Sequence, residues 1–420
     1  MTTGVHARRS SLALLGWLTG AGFFFYAWVL RVSPSVMVEE LMRDFAASGA
    51  LLGQLSALYF YGYAGMQIPV GMILDRFGPR RPIAIAALVC GAGTLGFALA
   101  GDIVEASIGR FLLGAGAAFS LVGAVTVAGL WLPPARFALL SGLSMMAGMA
   151  GGMLGQAPLR LAVDAHGWRP AMGVLAIGGL VVAVAAWAFV RDRGHGQGGL
   201  GSMMRGLGGV LRNPQTWLCA MAGLGATGPL LAFAGLWGVP YLQALHGLDR
   251  AGAGAIASLT FLGWGIGAPL AGWLSDRLHR RRLPMMVGLS VCMGCLAGVI
   301  WLPTPVWATG ALCFGVGLGG STQIVTFALA REANPPELSA TAIGLVNALV
   351  TGAGALFQPA IGWLLDRDWN GTMVGGARTY ALDAYREAFV ILLVGLAVGL
   401  LCVLAVREGP LPAAGETGRR

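Results

Sequence analysis

The sequence predicts an all-α membrane protein: twelve transmembrane helices in two parallel six-helix repeats around a central cavity. Three observations predict it. The chain is 56% hydrophobic and only 11% charged, against about 25% charged in soluble domains, so water is not the main solvent of its surface. The apolar residues fall into runs close to the about 20 that one helical crossing needs. The third observation is a repeat. Gly71-Met72-Ile73-Leu74-Asp75-Arg76-Phe77-Gly78-Pro79-Arg80-Arg81 returns as Gly272-Trp273-Leu274-Ser275-Asp276-Arg277-Leu278-His279-Arg280-Arg281-Arg282, with Asp75 and Asp276 201 residues apart.

The first run, 12–36, follows Arg8 and Arg9 and imitates a signal peptide. It is longer than an h-region and no small-residue cleavage site follows, so it reads as a retained first helix. The others are 50–73, 82–101, 107–131, 137–161, 170–190, 215–238, 253–275, 284–302, 306–329, 341–365 and 387–406. Backbone groups have no water to pair with in lipid, so each run must be helical. The runs are too long and too uniformly apolar for barrel strands. The 68 glycines suit helices whose backbones approach closely in lipid.

These runs divide the chain into an N-terminal bundle, 1–190, a linker, 191–214, and a C-terminal bundle, 215–420. The linker is glycine-rich and basic, as a flexible connection would be, with a short surface helix expected around Met203–Leu211. The repeat extends through the helices. Gly109, Gly114, Gly116 and Ser120 recur as Gly310, Gly315, Gly317 and Ser321, Pro158 as Pro359, and Pro134 as Pro335, all at the same offset. Parallel six-helix repeats about an axis along the membrane normal are one transporter architecture.

Every basic residue is arginine, and the net charge is +9. A basic balance can signal nucleic acid, but these arginines sit in short clusters between apolar runs, so no nucleic-acid partner is expected. With the N-terminus inside, 18 of the 27 arginines lie on the cytoplasmic side. That bias predicts both termini cytoplasmic. The compact loops and lack of targeting segments point to a bacterial inner membrane, and a self-contained cavity to a monomer in the bilayer. Cys292 and Cys295 form a C-x-x-C, but no second pair or nearby histidine completes a zinc site. No metal and no cofactor is expected. Without a nucleophile–base pair or phosphate loop, no enzyme is expected.

The chain resembles the major facilitator superfamily over nearly its whole length. Gly71-x-x-x-Asp75-Arg76-x-Gly78-x-Arg80-Arg81 is similar to its loop 2–3 signature, with a looser second copy at Asp276-Arg277. Gly109-Arg110-Phe111-Leu112-Leu113-Gly114-Ala115-Gly116 is similar to its fourth-helix signature. The resemblance implies alternating access, in which the halves rock about a central site. Gly71 would let helix 2 approach a neighbour, and Asp75 would accept hydrogen bonds from arginines or a helix N-terminus. With Arg76, Gly78, Arg80 and Arg81 they would latch the gate in one state; the alternative is a topology signal alone. Arg110 either joins a polar network in helix 4 or reaches the headgroups.

Arg31 is the sharper clue, because an arginine inside a membrane helix is costly and marks function by default. Helix 1 is similar to those of the organophosphate and organic-anion branches, where an arginine binds phosphate or carboxylate. A guanidinium stays charged and offers a planar fork of donors. The alternative is snorkelling outward towards Glu39 or Glu40. The branch match is incomplete: the repeat mate of Arg31 is Ala232, and no acid adjoins Arg31.

Tyr26, Tyr59, Tyr63, Trp264, Gln323 and Asn347 could line a cavity or pack helices. All acids lie in loops or near helix ends, which favours an anionic or neutral substrate and exchange or facilitated movement over proton symport. The expected function is transport of a small organic anion, a carboxylate first, with a counter-transported anion or proton as the coupling partner. The alternatives are an efflux antiporter, a carrier of a neutral metabolite or peptide, and a transporter-like receptor.

Overall fold

Capping residues, rather than the ends of the apolar runs, set where several helices of this chain begin. The structure is a computed structural model describing residues 2–133, 136–192, 208–335 and 338–408; the side chains of 2–11, 68, 75, 138 and 340 lie outside that description. Ser48 accepts from Leu51 N at 3.3 Å, Asp102 from Val104 N at 2.8 Å and Asp249 from Gly252 N at 2.9 Å. Each occupies the donors that a helix start leaves unpaired. Hydropathy registers the hydrocarbon layer and not the caps, so several helices overrun their predicted bounds.

Among the described residues there are twelve long helical segments. They are α1 Thr2–Val32, α2 Gly49–Phe77, α3 Arg80–Leu99, α4 Ile103–Trp131, α5 Phe137–Leu154 continued as Ala157–His166, α6 Trp168–Phe189, α7 Pro214–His246, α8 Arg250–Leu278, α9 Arg282–Trp301, α10 Val306–Glu332, α11 Ser339–Arg367 and α12 Leu382–Ala405. Ten are long and apolar enough to cross a membrane, and α2 and α5 complete the twelve. Four are not continuous α-helix, against the uniform runs expected. The ladder of α4 breaks at Ala118 and that of α5 at Gly155-Gln156, just before Pro158, which has no N–H to donate. A π-helical stretch, Pro229–Trp237, interrupts α7, and a 3₁₀ turn, Ser321–Ile324, interrupts α10. Two elements were not predicted: a short helix, Val38–Asp44, and a hairpin pairing Met373 with Arg378 and Val374 with Ala377. Of the predicted linker helix, Met203–Leu211, residues 208–211 are helical and 203–207 lie outside the described residues.

Equivalent helices of the two repeats pack through equivalent close approaches. An added Cβ at Gly114 of α4 would lie 2.0 Å from the carbonyl oxygen of Tyr59 on α2. At Gly317 of α10 it would lie 1.9 Å from that of Thr260 on α8. Tyr59 and Thr260 are 201 residues apart, but Gly114 and Gly317 are 203 apart, so α10 packs two residues off the sequence register that paired Gly114 with Gly315. Only glycine permits these backbone contacts.

Two antiparallel seams join the repeats. Along α2 and α11, Gly53 backs onto Gln358 and Pro359, Phe60 onto Gly354, and Tyr61 donates to Ala355 O at 3.3 Å. The contacts end at Gln67, whose Oε1 accepts from Asn347 Nδ2 at 2.7 Å. One turn further, a Cβ at Gly71 or at Gly344 would meet nothing within 4 Å among the described residues. Along α5 and α8, Gly254 meets Ala157, Gly152 meets Phe261 and Gly265 meets Met149, while Gly142 and Gly272 face open space. Both seams therefore part towards the end that carries the Asp-Arg loops, here the loop end. At the far end they are closed. The close approach expected of Gly71 is not made in this conformation.

Candidate substrate site and gates

The site starts from a proline. Pro34 cannot donate to Leu30 O, so α1 ends at Val32 and tightens into a 3₁₀ turn, Ser33–Val36. Ser33 Oγ returns a bond to Leu30 O at 2.9 Å and Ser35 Oγ to Val32 O at 2.7 Å. The carbonyls of Leu30 and Arg31 also accept from Arg110 Nη1 and Nη2, at 2.9 and 3.4 Å. Arg110 is fully buried. It faces the protein interior, not the headgroups, and holds the end of the helix that presents Arg31.

Arg31 lies on aromatic faces. Its guanidinium carbon is 4.1 Å from the centroid of Trp28, 4.8 Å from Tyr63, 5.1 Å from Tyr59 and 5.9 Å from Phe60. The side chain is buried, and among the described residues it forms no ion pair. Glu39 and Glu40, the acids it would reach by snorkelling, are taken by Arg250 and Arg160. Arg31 Nε, Trp28 Nε1 and Tyr59 Oη are all buried without hydrogen-bond partners. Cation–π contact contributes about 0.5–2 kcal/mol per face, but burying a cation costs several kcal/mol. The arrangement is a cage whose donors outnumber its acceptors, the phenol oxygens of Tyr59 and Tyr63.

The structure brings together only some of the residues singled out in the sequence. Tyr59 and Tyr63 stack at 6.0 Å with 21° between their planes, and the guanidinium carbon of Arg110 lies 5.4 Å from the ring centroid of Tyr59. Asn347 meets Gln67 across the seam, one turn along α2 from Tyr63. Tyr26 is not part of the cluster: its ring packs against Gly178 of α6, because residues five apart on a helix point about 140° away from each other. Trp264 packs over Gly320 within the C-terminal half, and Gln323 donates to Thr326 at 3.4 Å. Sequence reasoning missed Trp28, Phe60 and Gln67. Trp28 lies one turn before Arg31, and Gln67 extends the Tyr59–Tyr63 face by one turn, so helical spacing could have found both.

Polar contacts between the halves close the far end. Glu40 Oε1 accepts from Arg160 and from Arg250, each at 2.8 Å, and Arg250 also pairs with Glu39. Asp366 accepts from Gly49 N at 2.9 Å and Ala50 N at 2.7 Å, at the start of α2. Tyr380 at 2.7 Å and Arg378 at 3.1 Å donate to it too. Burial and the neighbouring carboxylate push the Tyr380 phenol above its usual range, so it stays a donor. Gln156 links Ser35 to Ala234 O, at 3.2 and 2.8 Å.

At the loop end the motif residues dock within their own halves. Arg80 N donates to Asp192 at 3.0 Å and Arg80 Nε to Trp187 O at 2.8 Å. In the second copy, Arg281 N donates to Glu408 at 2.7 Å, and Arg281 pairs with Asp276 and Glu332. Arg76, Arg81 and Arg277 are exposed, and the side chain of Asp75 lies outside the described residues. Gly78 has φ +73° and ψ 168°, and a Cβ there would lie 2.3 Å from Asp192 Oδ1. Gly78→Ala is expected to cost about 1–3 kcal/mol, read as a lower unfolding temperature of the purified protein. An unchanged transition would show that the loop relaxes freely.

Two helical bundles meeting at a buried cationic cage, closed at one end and parted at the other, define a membrane transporter. The chain belongs to the Major Facilitator Superfamily, whose family model matches residues 17–359. It is therefore a multi-pass membrane protein and not an enzyme. It is 24% identical to a probable sulfoacetate transporter of Cupriavidus necator, over 82% of this chain and 85% of the relative. It is 26% identical to a probable nitrate/nitrite transporter of Mycobacterium tuberculosis, over 85% of this chain and 89% of that one. Its fold matches the inward-facing, unoccupied crystal structure of a bacterial homolog of the human lysosomal transporter Spinster. The TM-score is 0.73 at 19% identity, covering 96% of this chain and 99% of that chain.

Proposed function

We propose that this protein carries a small organic anion, a carboxylate or sulfonate, by alternating access with Arg31 as its anchor. The observation that carries this reading is the buried guanidinium on four aromatic rings, which forms no ion pair among the described residues. Donors in excess of acceptors favour a ligand that brings acceptors and negative charge. The printed descriptions of the two relatives, which name sulfoacetate and nitrate or nitrite, point the same way. Trp28, Tyr59 and Tyr63 wall the anion, and Arg110 positions it through α1. Tyr26, Trp264 and Gln323 serve packing.

The arginine bias makes the loop end cytoplasmic, with both termini inside a bacterial inner membrane. The conformation described is then open to the cytoplasm. The two halves, 1–190 and 215–420, rock as units in a monomer. When the loop end closes, Gly71, Asp75, Arg76 and Arg81 meet the opposite half as a latch, and the Asp276-Arg277 copy does the same. No acid adjoins Arg31, which favours exchange over proton symport.

The test is thermal stability of the purified protein against carboxylates, sulfonates, phosphate esters, neutral solutes and cations, followed by uptake into proteoliposomes. A ligand of the native state stabilises it by mass action. Stabilisation by small anions, lost in Arg31→Ala, is expected. Stabilisation by neutral or cationic solutes alone, or equal responses in the variant, overturns the reading.

A further inference from the structure

We infer that Gln67 is a second recognition pole of the same site, and that the substrate carries a hydrogen-bond acceptor beyond its acid group. This rests on the anion reading above. Gln67 Oε1 is occupied by Asn347 Nδ2 at 2.7 Å, while Gln67 Nε2 is buried and has no partner. Turning Gln67 alone would set its Nε2 against Asn347 Nδ2, donor to donor, so the free N–H groups stay in place while Asn347 keeps its orientation. A buried donor left unpaired is costly, and a native fold keeps few of them.

Its position matches the cage. Tyr59, Tyr63 and Gln67 are successive residues at a spacing of four and form one face of α2. The guanidinium of Arg31 lies over Tyr59 and Tyr63 at 5.1 and 4.8 Å. Gln67 stands one turn nearer the parted loop end, about 6 Å along the axis. The seam contacts also stop there: Gly71 and Gly344 beyond it meet nothing among the described residues. A ligand entering from the open end passes this amide pair before it reaches Arg31. With its acid group in the cage, a ligand places an acceptor a few carbon atoms further on towards Gln67 Nε2, one turn along α2 from Tyr63. The amide is neutral, so it selects a keto, hydroxyl or second acid oxygen without adding charge.

The experiment compares pentanoate with 4-oxopentanoate, acids of equal charge and length that differ by one carbonyl. Binding to the full-length protein is measured by titration calorimetry for wild type, Gln67→Leu and Arg31→Ala. Wild type is expected to favour 4-oxopentanoate by about tenfold, the worth of one hydrogen bond. In Gln67→Leu the preference disappears while pentanoate affinity is kept, which also reports that the variant is folded. Arg31→Ala loses both acids. If Gln67→Leu keeps the preference, or loses pentanoate as well, Gln67 is only a bridge between helices and the inference falls. If wild type binds neither acid, the small-carboxylate reading beneath it fails instead.

Discussion

Arg31→Leu is expected to raise the unfolding temperature of the empty protein and to abolish anion uptake. The two effects have one cause. The guanidinium is buried and forms no ion pair among the described residues, and desolvation costs several kcal/mol per ion. The four ring faces repay part of that, at about 0.5–2 kcal/mol each, and Trp28 at 4.1 Å is the closest. Replacing buried charge by a packed apolar side chain has stabilised other proteins by about 1–4 kcal/mol, and a gain of that order is expected here. Transport should fall by at least about a hundredfold, since a charge-assisted contact is worth about 1.5–3 kcal/mol and a fork makes two. Arg31→Lys restores charge but not the planar fork or the stacking, so it should recover little. The checks are thermal unfolding in detergent and proteoliposome uptake. A variant that unfolds earlier and still transports would make Arg31 a structural residue.

Arg250→Ala combined with Asp366→Ala is expected to open the far end and close the loop end. Asp366 accepts two backbone N–H groups of α2 at 2.9 and 2.7 Å, besides Tyr380 and Arg378. Each bond to a charged acceptor is worth about 1.5–3 kcal/mol. The Arg250 pair with Glu39 is part-exposed and contributes less, but its removal also leaves Glu40 with one partner fewer. The contacts of Asp366 with Gly49 and Ala50 and of Arg250 with Glu39 and Glu40 cross between the halves and must break when the far end opens. Losing them therefore biases the two-state equilibrium directly. Every 1.4 kcal/mol is about tenfold in population. Spin labels on opposite halves would show far-end distances lengthening and loop-end distances shortening, with the Gly71 and Gly344 faces coming together. Unchanged distance distributions would mean that the closure rests on apolar packing along the seams.

The sequence was informative in proportion to how local each property is. Twelve crossings, the 201-residue repeat and an arginine deep in α1 are read from single runs of residues. A charge in hydrocarbon is conspicuous wherever its helix is placed. The breaks in α5 and after α1 were not predicted, because hydropathy runs on through Pro158 and Pro34 although each removes a donor. The helix starts were less legible, since Ser48 and Asp249 cap them from outside the apolar runs.

Facing was decided only by tertiary structure. Tyr26 and Tyr59 are both tyrosines in apolar helices, yet one packs on Gly178 and the other stacks beside Arg31. Gln323 stays within its own half while Asn347 reaches Gln67 across the seam. Arg80 carries the family motif, but only the fold brings Asp192 to its backbone. Glu39 and Glu40, nine residues or fewer from Arg31 in the chain, pair instead with arginines 120 or more residues away. The physical reason is the solvent. Lipid tails are as apolar as the protein interior, so hydrophobicity places a helix in the membrane without choosing which face turns inward. That choice falls to close packing at small residues and to the few polar groups that must find partners.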